Sequence, residues 1–137
     1  MSTKVTLYVE DDPDIQMIAE LALEDTDYEL HTFSSGKDAI EQAEIIKPNL
    51  FLLDVMMPEI DGPTTLQKLR ENILFKNTPA IFMTAKVQSE EQASYLSLGA
   101  IGVISKPFDP LTLPDQIDMI LENHQRVRQE KRLIYRR

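Results

Sequence analysis

The chain contains no cysteine, which excludes a disulfide framework and a thiolate metal site and fits a reducing compartment. No apolar run approaches the roughly 18 residues that a membrane-spanning helix needs. The opening residues, MSTKVTLYVE, lack the pattern of a secretory signal. Internal repeats and low-complexity segments are also missing. These absences predict a soluble, cytoplasmic protein with no membrane partner. At 137 residues it is long enough to bury one core unaided and is expected to form one domain.

Positive charge is scarce until the end of the chain. The formal net charge is −9, yet from Asn123 onward six Lys and Arg residues stand against Glu130 alone. The tail therefore carries +5 and everything before it −14. So acidic a body is a poor general nucleic-acid binder, because phosphate contacts need a surplus of Lys and Arg. Direct nucleic-acid binding is not expected.

Short apolar runs alternate with helical patterns five times. Val5–Val9 reads as a buried strand, followed by a helix with Asp12 as N-cap, Pro13 at its first position and Ile15, Ile18, Ala19, Ala22 and Leu23 on its apolar face. Tyr28–Phe33 is a more polar, edge-like strand, and a second helix from Ser35 stops before Pro48. Leu50 to Leu53 form a strand with no polar alternation, hence buried on both faces, and a third helix opens at Gly62-Pro63 and runs to about Asn72. Ala80–Met83 is the fourth strand. Ser89 with Gln92 suggests a capping box for a fourth helix ended by Gly99. Ile101–Ser105 is the fifth strand, and the last helix starts near Asp109 or at Pro114. Such alternation predicts an α/β fold with an open, doubly wound parallel sheet, whose ligands sit beyond the carboxyl ends of the strands.

The groups delivered to that rim are chemically coherent. The first strand ends in Glu10, Asp11 and Asp12, the third in Asp54, the fourth in Thr84 and Lys86, and the fifth in Lys106. Asp54 closes an apolar run, where a lone carboxylate costs several kcal/mol unless it is compensated. Glu10, Asp11 and Asp54 held together would repel, and a hard cation such as Mg2+ resolves this through oxygen ligands. Lys106 adds a cation for Asp54 or an incoming phosphoryl oxygen, and Thr84 adds a hydroxyl. The set suits phosphoryl transfer onto Asp54 as nucleophile.

The motifs YVEDDPDI, FLLDVMMPEIDG, MTAK and GAIGVISKPFDP, in that order, make the chain similar to the receiver domains of two-component response regulators, the CheY-like superfamily. The resemblance implies a flavodoxin-like (βα)5 sheet in strand order 2-1-3-4-5. It implies that Asp54 is the phosphoacceptor, loaded from a phosphohistidine on a sensor histidine kinase or histidine phosphotransfer protein. Asp11 would ligate Mg2+ directly, Glu10 through water, and Met56 through its backbone carbonyl. Lys106 would meet phosphoryl oxygen, with Lys106-Pro107 a cis peptide. Thr84 would swing towards the phosphate and carry the change to the face of the fourth helix and fifth strand. The chain would be a phosphorylation-controlled switch, catalysing only its own phosphorylation and dephosphorylation, with an unnamed output partner.

Position 103, three residues before the lysine, commonly holds Tyr or Phe in receivers as a rotamer switch, and here it is Val103. His31 and His124 fit no motif. The expected organisation is a receiver over residues 1–122 and a basic helical extension over 123–137, with no effector domain. Leu133, Ile134 and Tyr135 form an apolar patch among arginines on that extension, which is expected to contact another chain and leaves a homodimer open. Three other readings fit less well. A haloacid-dehalogenase-like hydrolase needs a second acid two residues after the nucleophile, where this chain has Met56. A flavin-binding domain needs a small-residue phosphate loop where this chain has EDDPD. A receiver kept only as an interaction module should have lost its acidic pair or its lysine, and both are present.

Overall fold

The structure, a computed structural model, describes residues 3–135, apart from the side chain of Tyr135. Strands β1 (Lys4–Val9), β2 (Tyr28–Phe33), β3 (Leu50–Asp54), β4 (Ala80–Thr84) and β5 (Gly102–Ser105) alternate with helices α1 (Pro13–Leu23), α2 (Gly36–Ile46), α3 (Gly62–Arg70), α4 (Ser89–Ser97) and α5 (Leu113–Tyr135). The strands form one parallel sheet in the order β2-β1-β3-β4-β5, the flavodoxin-like arrangement expected.

Both faces of the sheet are covered, and the strand sequences show why. Alternate residues point to opposite faces, so β3 divides its side chains between two cores. Phe51 and Leu53 pack with Leu7, Val9 and Phe82 against Ala39, Ala43, Leu66 and Leu69 of α2 and α3. Leu50 and Leu52 pack with Tyr8, Ile81 and Met83 against Ala19, Leu23, Leu113 and Ile117 of α1 and α5. Every residue of β3 and β4 is buried. Each such Leu, Ile or Phe contributes about 1.5–3 kcal/mol, so the central strands are held rigidly. β2 is an edge strand with mostly partial burial, in keeping with its polar sequence.

Local chemistry fixes several element ends. The Asp12 carboxylate accepts from the N–H groups of Asp14 (2.9 Å) and Ile15 (3.4 Å), and Pro13 is the first helical residue. Ser35 caps α2 and Asp61 caps α3 in the same way. Gly99, with φ +106°, follows the last turn of α4. Of the two starts open for the last helix, the structure has Leu113, with Pro114 in the first turn, where its missing N–H leaves no helical bond unmade. A separate turn precedes it, closed by the N–H groups of Thr112 and Leu113 on the Asp109 carbonyl.

Three expectations need correction. Ser89 and Gln92 form no capping box: Gln88 is the N-cap, Ser89 is already helical, and the Gln92 amide donates instead to the Val87 carbonyl at 2.6 Å. α3 stops at Arg70 rather than near Asn72, because the Asn72 side chain accepts from the Leu74 N–H and starts a separate 3-10 turn over Ile73–Phe75. Ile18 is 43 % exposed, so the buried stripe of α1 is narrower than its pattern implied, centred on Ala19 and Leu23. α5 continues without a break to Tyr135, with Leu133 and Ile134 exposed. The Tyr135 side chain and Arg136 and Arg137 lie outside the described residues.

Candidate functional site

The parallel register brings the ends of β1, β3, β4 and β5 side by side. Val9 pairs with Leu53, Asp54 with Met83 and Thr84 with Ser105. One residue beyond Val9 lies Glu10, and one beyond Ser105 lies Lys106. Carboxylate oxygens of Glu10, Asp11 and Asp54 all come within 4.8 Å of one another. Residues separated by 96 positions meet here: Lys106 Nζ donates to Glu10 Oε1 at 2.7 Å and lies 3.2 Å from Asp54 Oδ1.

Burial makes this arrangement electrostatically tense. Glu10 and Asp54 are only 1 % and 3 % exposed, whereas Asp11 faces solvent. Burial pushes the Glu10 carboxyl up to about 7, with the hydrogen bond from Lys106 and the Asp12 N–H pulling the other way. Burial also raises Asp54, against the opposing pull of Lys106. Burial alone would lower Lys106, but the bond to Glu10 and the two carboxylate charges outweigh it, and its pKa rises. Glu10 and Asp54 thus share one ammonium group, and with Asp11 beside them negative charge is left uncompensated when all three are ionised. An all-oxygen donor set, compact and partly open through Asp11, fits a hard divalent cation better than a soft one.

The loop after β3 is shaped by close approach. The Gly62 N–H donates to the Val55 carbonyl at 2.9 Å, folding the segment back beneath the strand end. A Cβ at Gly62 would stand 2.4 Å from the Asp54 carbonyl oxygen, so only glycine fits without moving β3. Met56 lies in this loop with its side chain 70 % exposed, free of any core role. On the other side, the Gln16 side-chain amide donates to the Glu10 carbonyl (2.5 Å) and to Ser34 Oγ (3.1 Å), fastening the β1 exit to α1.

Thr84 is buried at the end of β4, its hydroxyl accepting from the Lys86 N–H at 3.1 Å, while its carbonyl accepts from the Lys106 N–H at 2.9 Å. The hydroxyl proton is therefore free to donate to a new group. The Lys106-Pro107 peptide is cis. Val103 pairs with Phe82 in register, and the Phe82 ring meets Tyr95 of α4 edge-on at 5.5 Å. Position 103 therefore adds no aromatic ring beside Phe82, whose ring neighbour is Tyr95 of α4.

Of the site residues read from the sequence, Glu10, Asp11, Asp54 and Lys106 come together and Thr84 meets Lys106 through the backbone, but three supporting features were not foreseen. The Glu10–Lys106 contact has no sequence signal, since nothing in either motif names the other as partner. Gly62 was visible only as a helix opener. The Tyr8 hydroxyl is buried without a hydrogen-bond partner and is pushed upward first by burial, then by Glu10 and Asp54. Its two-residue offset from Glu10, the residue just past the end of β1, was the available clue.

Residues 6–118 match the family described as the response regulator receiver domain. Among curated proteins, the chain is 35 % identical over 118 residues to the alkaline phosphatase synthesis transcriptional regulatory protein PhoP of Bacillus subtilis (strain 168), covering 86 % of this chain and 48 % of that protein. It is 34 % identical over 125 residues to the transcriptional regulatory protein SrrA of Staphylococcus aureus (strain NCTC 8325 / PS 47), covering 91 % and 50 %. The chain thus spans about half the length of these curated relatives. Among solved structures, chemotaxis protein CheY4 of Vibrio cholerae superposes with a TM-score of 0.80 at 27 % identity, covering 87 % of this chain and 99 % of the other. A structure described as the BeF3-activated DrrB receiver domain superposes with a TM-score of 0.74 at 25 % identity, covering 88 % and 98 %. The matched span includes every residue of the acidic cluster together with Thr84 and Lys106, and the chain belongs to the response regulator receiver domain family, the phosphorylation-controlled switches of two-component signalling.

Proposed function

We propose that Asp54 is the phosphoacceptor of this receiver, taking a phosphoryl group from the phosphohistidine of a sensor histidine kinase or phosphotransfer protein. The observation that carries this reading is the convergence of Lys106 Nζ on Asp54 and Glu10 at the buried end of β3. An Asp54 carboxylate oxygen attacks phosphorus, the bond from phosphorus to the donor imidazole nitrogen breaks, and the imidazole leaves with the electron pair. Lys106 is placed to shift from carboxylate to phosphoryl oxygen as charge develops there. In this reading the Thr84 hydroxyl, which accepts from the Lys86 N–H, donates its own proton to the same group.

Asp11, Asp54 and the Met56 carbonyl would hold Mg2+, with Glu10 acting through water, and the cation supplies neutralisation of the crowded carboxylates and the arriving phosphoryl group. The chain's own residues then set the geometry: Gly62 fixes the acceptor backbone and Gln16 the β1 exit. In this reading the protein catalyses only its own phosphorylation and hydrolysis. Residues 123–137 would serve as an extension that contacts another chain, which beryllofluoride-dependent association would detect.

Incubation with Mg2+ and acetyl phosphate, followed by intact-protein mass spectrometry, tests the central step. One phosphate-sized adduct is expected, and none in Asp54→Ala. Equal adducts in the two proteins would refute the assignment. Repeated turnover of a generic phosphatase substrate would instead support the hydrolase reading.

A further inference from the structure

The end of the sheet opposite Asp54 carries a second concentration of charge, of the other sign. A cleft of about 410 Å3 lies where the chain enters β4, between the end of α3 and the outer part of α5. Arg70, Lys76, Thr78, His124 and Arg128 line it, and no carboxylate does. In a chain of net charge −9 this clustering runs against the general field. Among the described residues, the ion pairs involve only His31 and Lys106 as cations, so Lys76 and Arg128 are unpaired.

The cleft has a fixed part and an adjustable part. Arg70 is the fixed part. Its guanidinium donates to the carbonyls of Phe75 (2.7 Å) and Thr78 (2.5 Å), lies over the Phe51 ring, and is partly buried. It holds a permanent positive charge at the floor, since arginine stays protonated even when burial lowers its pKa. Lys76 and Arg128 are exposed on separate elements, one after the 3-10 turn and one on α5. His124 is partly buried, and its pKa is lowered by burial and then by Arg128 and Lys131.

We propose that this cleft binds a small phosphorylated ligand, best matched by one with two adjacent phosphate groups. Lys76 and Arg128 line the cleft from separate elements, and each can form a charge-assisted bond to an oxyanion. Arg70 supplies background charge, and an arriving anion relieves the crowding of like charges. The volume lies within the range of about 300–1,000 Å3 of small-molecule sites. Duplex nucleic acid is disfavoured as the occupant, because a long polyanion would also meet the field of the acidic body. The site is independent of Asp54 and does not need phosphorylation.

Inorganic pyrophosphate is the probe, used on the whole chain with a chelator present so that the acidic cluster cannot recruit it through a metal. The readouts are calorimetry and the ring proton signals of the two histidines. We expect one saturable site, movement of the His124 signals and not those of His31, and weaker binding of inorganic phosphate. The Lys76→Ala/Arg128→Ala double variant changes exposed side chains, so it should fold, and should weaken pyrophosphate at least ~10-fold. A nucleoside diphosphate binding more tightly would support the proposal and place its base in the same cleft. No saturation at ~1 mM, where the binding free energy would fall to about −4 kcal/mol, would overturn it. So would binding that leaves His124 unmoved, binding undiminished in the double variant, or capture of a short DNA duplex with none of pyrophosphate.

Discussion

The carboxyl end of the sheet and its opposite end differ in sign of charge, and also in how their charge is held. At the carboxyl end Glu10 and Asp54 are buried, rooted on strands packed on both faces, and paired with Lys106 from a third strand end. At the other end Lys76 and Arg128 are exposed on a loop and a helix and, among the described residues, unpaired, whereas Arg70 is fastened down. In the proposed reaction, the groups that act on phosphorus sit on rigid strand ends, where small displacements are resisted. Groups that would only hold an anion can tolerate looser mounts. The difference predicts that perturbations at the first end change chemistry and stability together, whereas those at the second change binding with little effect on stability.

The largest effect should follow loss of the shared cation. Lys106→Ala leaves Glu10 and Asp54 without their ammonium partner, and phosphorylation by acetyl phosphate is expected to slow ~100-fold or more. The rate of adduct formation measures this, and an unchanged rate would dissociate Lys106 from the reaction. Next comes the metal. Mg2+ at ~100 times its dissociation constant should stabilise the fold by about 2.7 kcal/mol by mass action. Thermal unfolding should show that gain in the wild type and lose most of it in Asp11→Asn. If Asp11→Asn kept the full gain, the ligand assignment would be wrong.

Gly62→Ala should cost about 1–3 kcal/mol, because the added methyl must displace the Asp54 carbonyl or the loop. A urea midpoint shift accompanied by slower phosphorylation would show that this glycine supports the acceptor. A stability loss with an unaltered rate would confine it to folding. The smallest effect belongs to the basic end. His124 titrates below its ordinary value of 6.5, so the unfolded chain binds the proton more readily than the folded one. This group's contribution to stability is therefore intact above that value and declines as pH falls through and below it. His124→Asn should flatten that decline slightly in denaturation curves taken across the window.

The same comparison explains what was legible in the sequence. The acceptor end could be read because strand ends of a parallel sheet converge by topology, so Glu10, Asp11, Asp54, Thr84 and Lys106 could be placed at one rim from their positions after apolar runs. That Lys106 prefers Glu10 over Asp54 could not, since the choice depends on side-chain reach between strands that are not neighbours in the sheet. The failed capping box at Ser89 and Gln92 shows the reverse case, a short motif overridden by where the backbone actually turns. The basic cleft was invisible for a related reason. Arg70, Lys76 and His124 come from three separate segments, and Arg128 read only as part of the basic extension.

The most direct test of the central claim locates the phosphoryl group itself. After loading with acetyl phosphate and Mg2+, borohydride reduction converts an aspartyl phosphate to homoserine, which peptide mass spectrometry can place in the sequence. The account predicts conversion at Asp54 alone, abolished by chelating Mg2+. Conversion at Asp11, Asp12 or another carboxylate, or full labelling of Asp54 without a divalent cation, would contradict it.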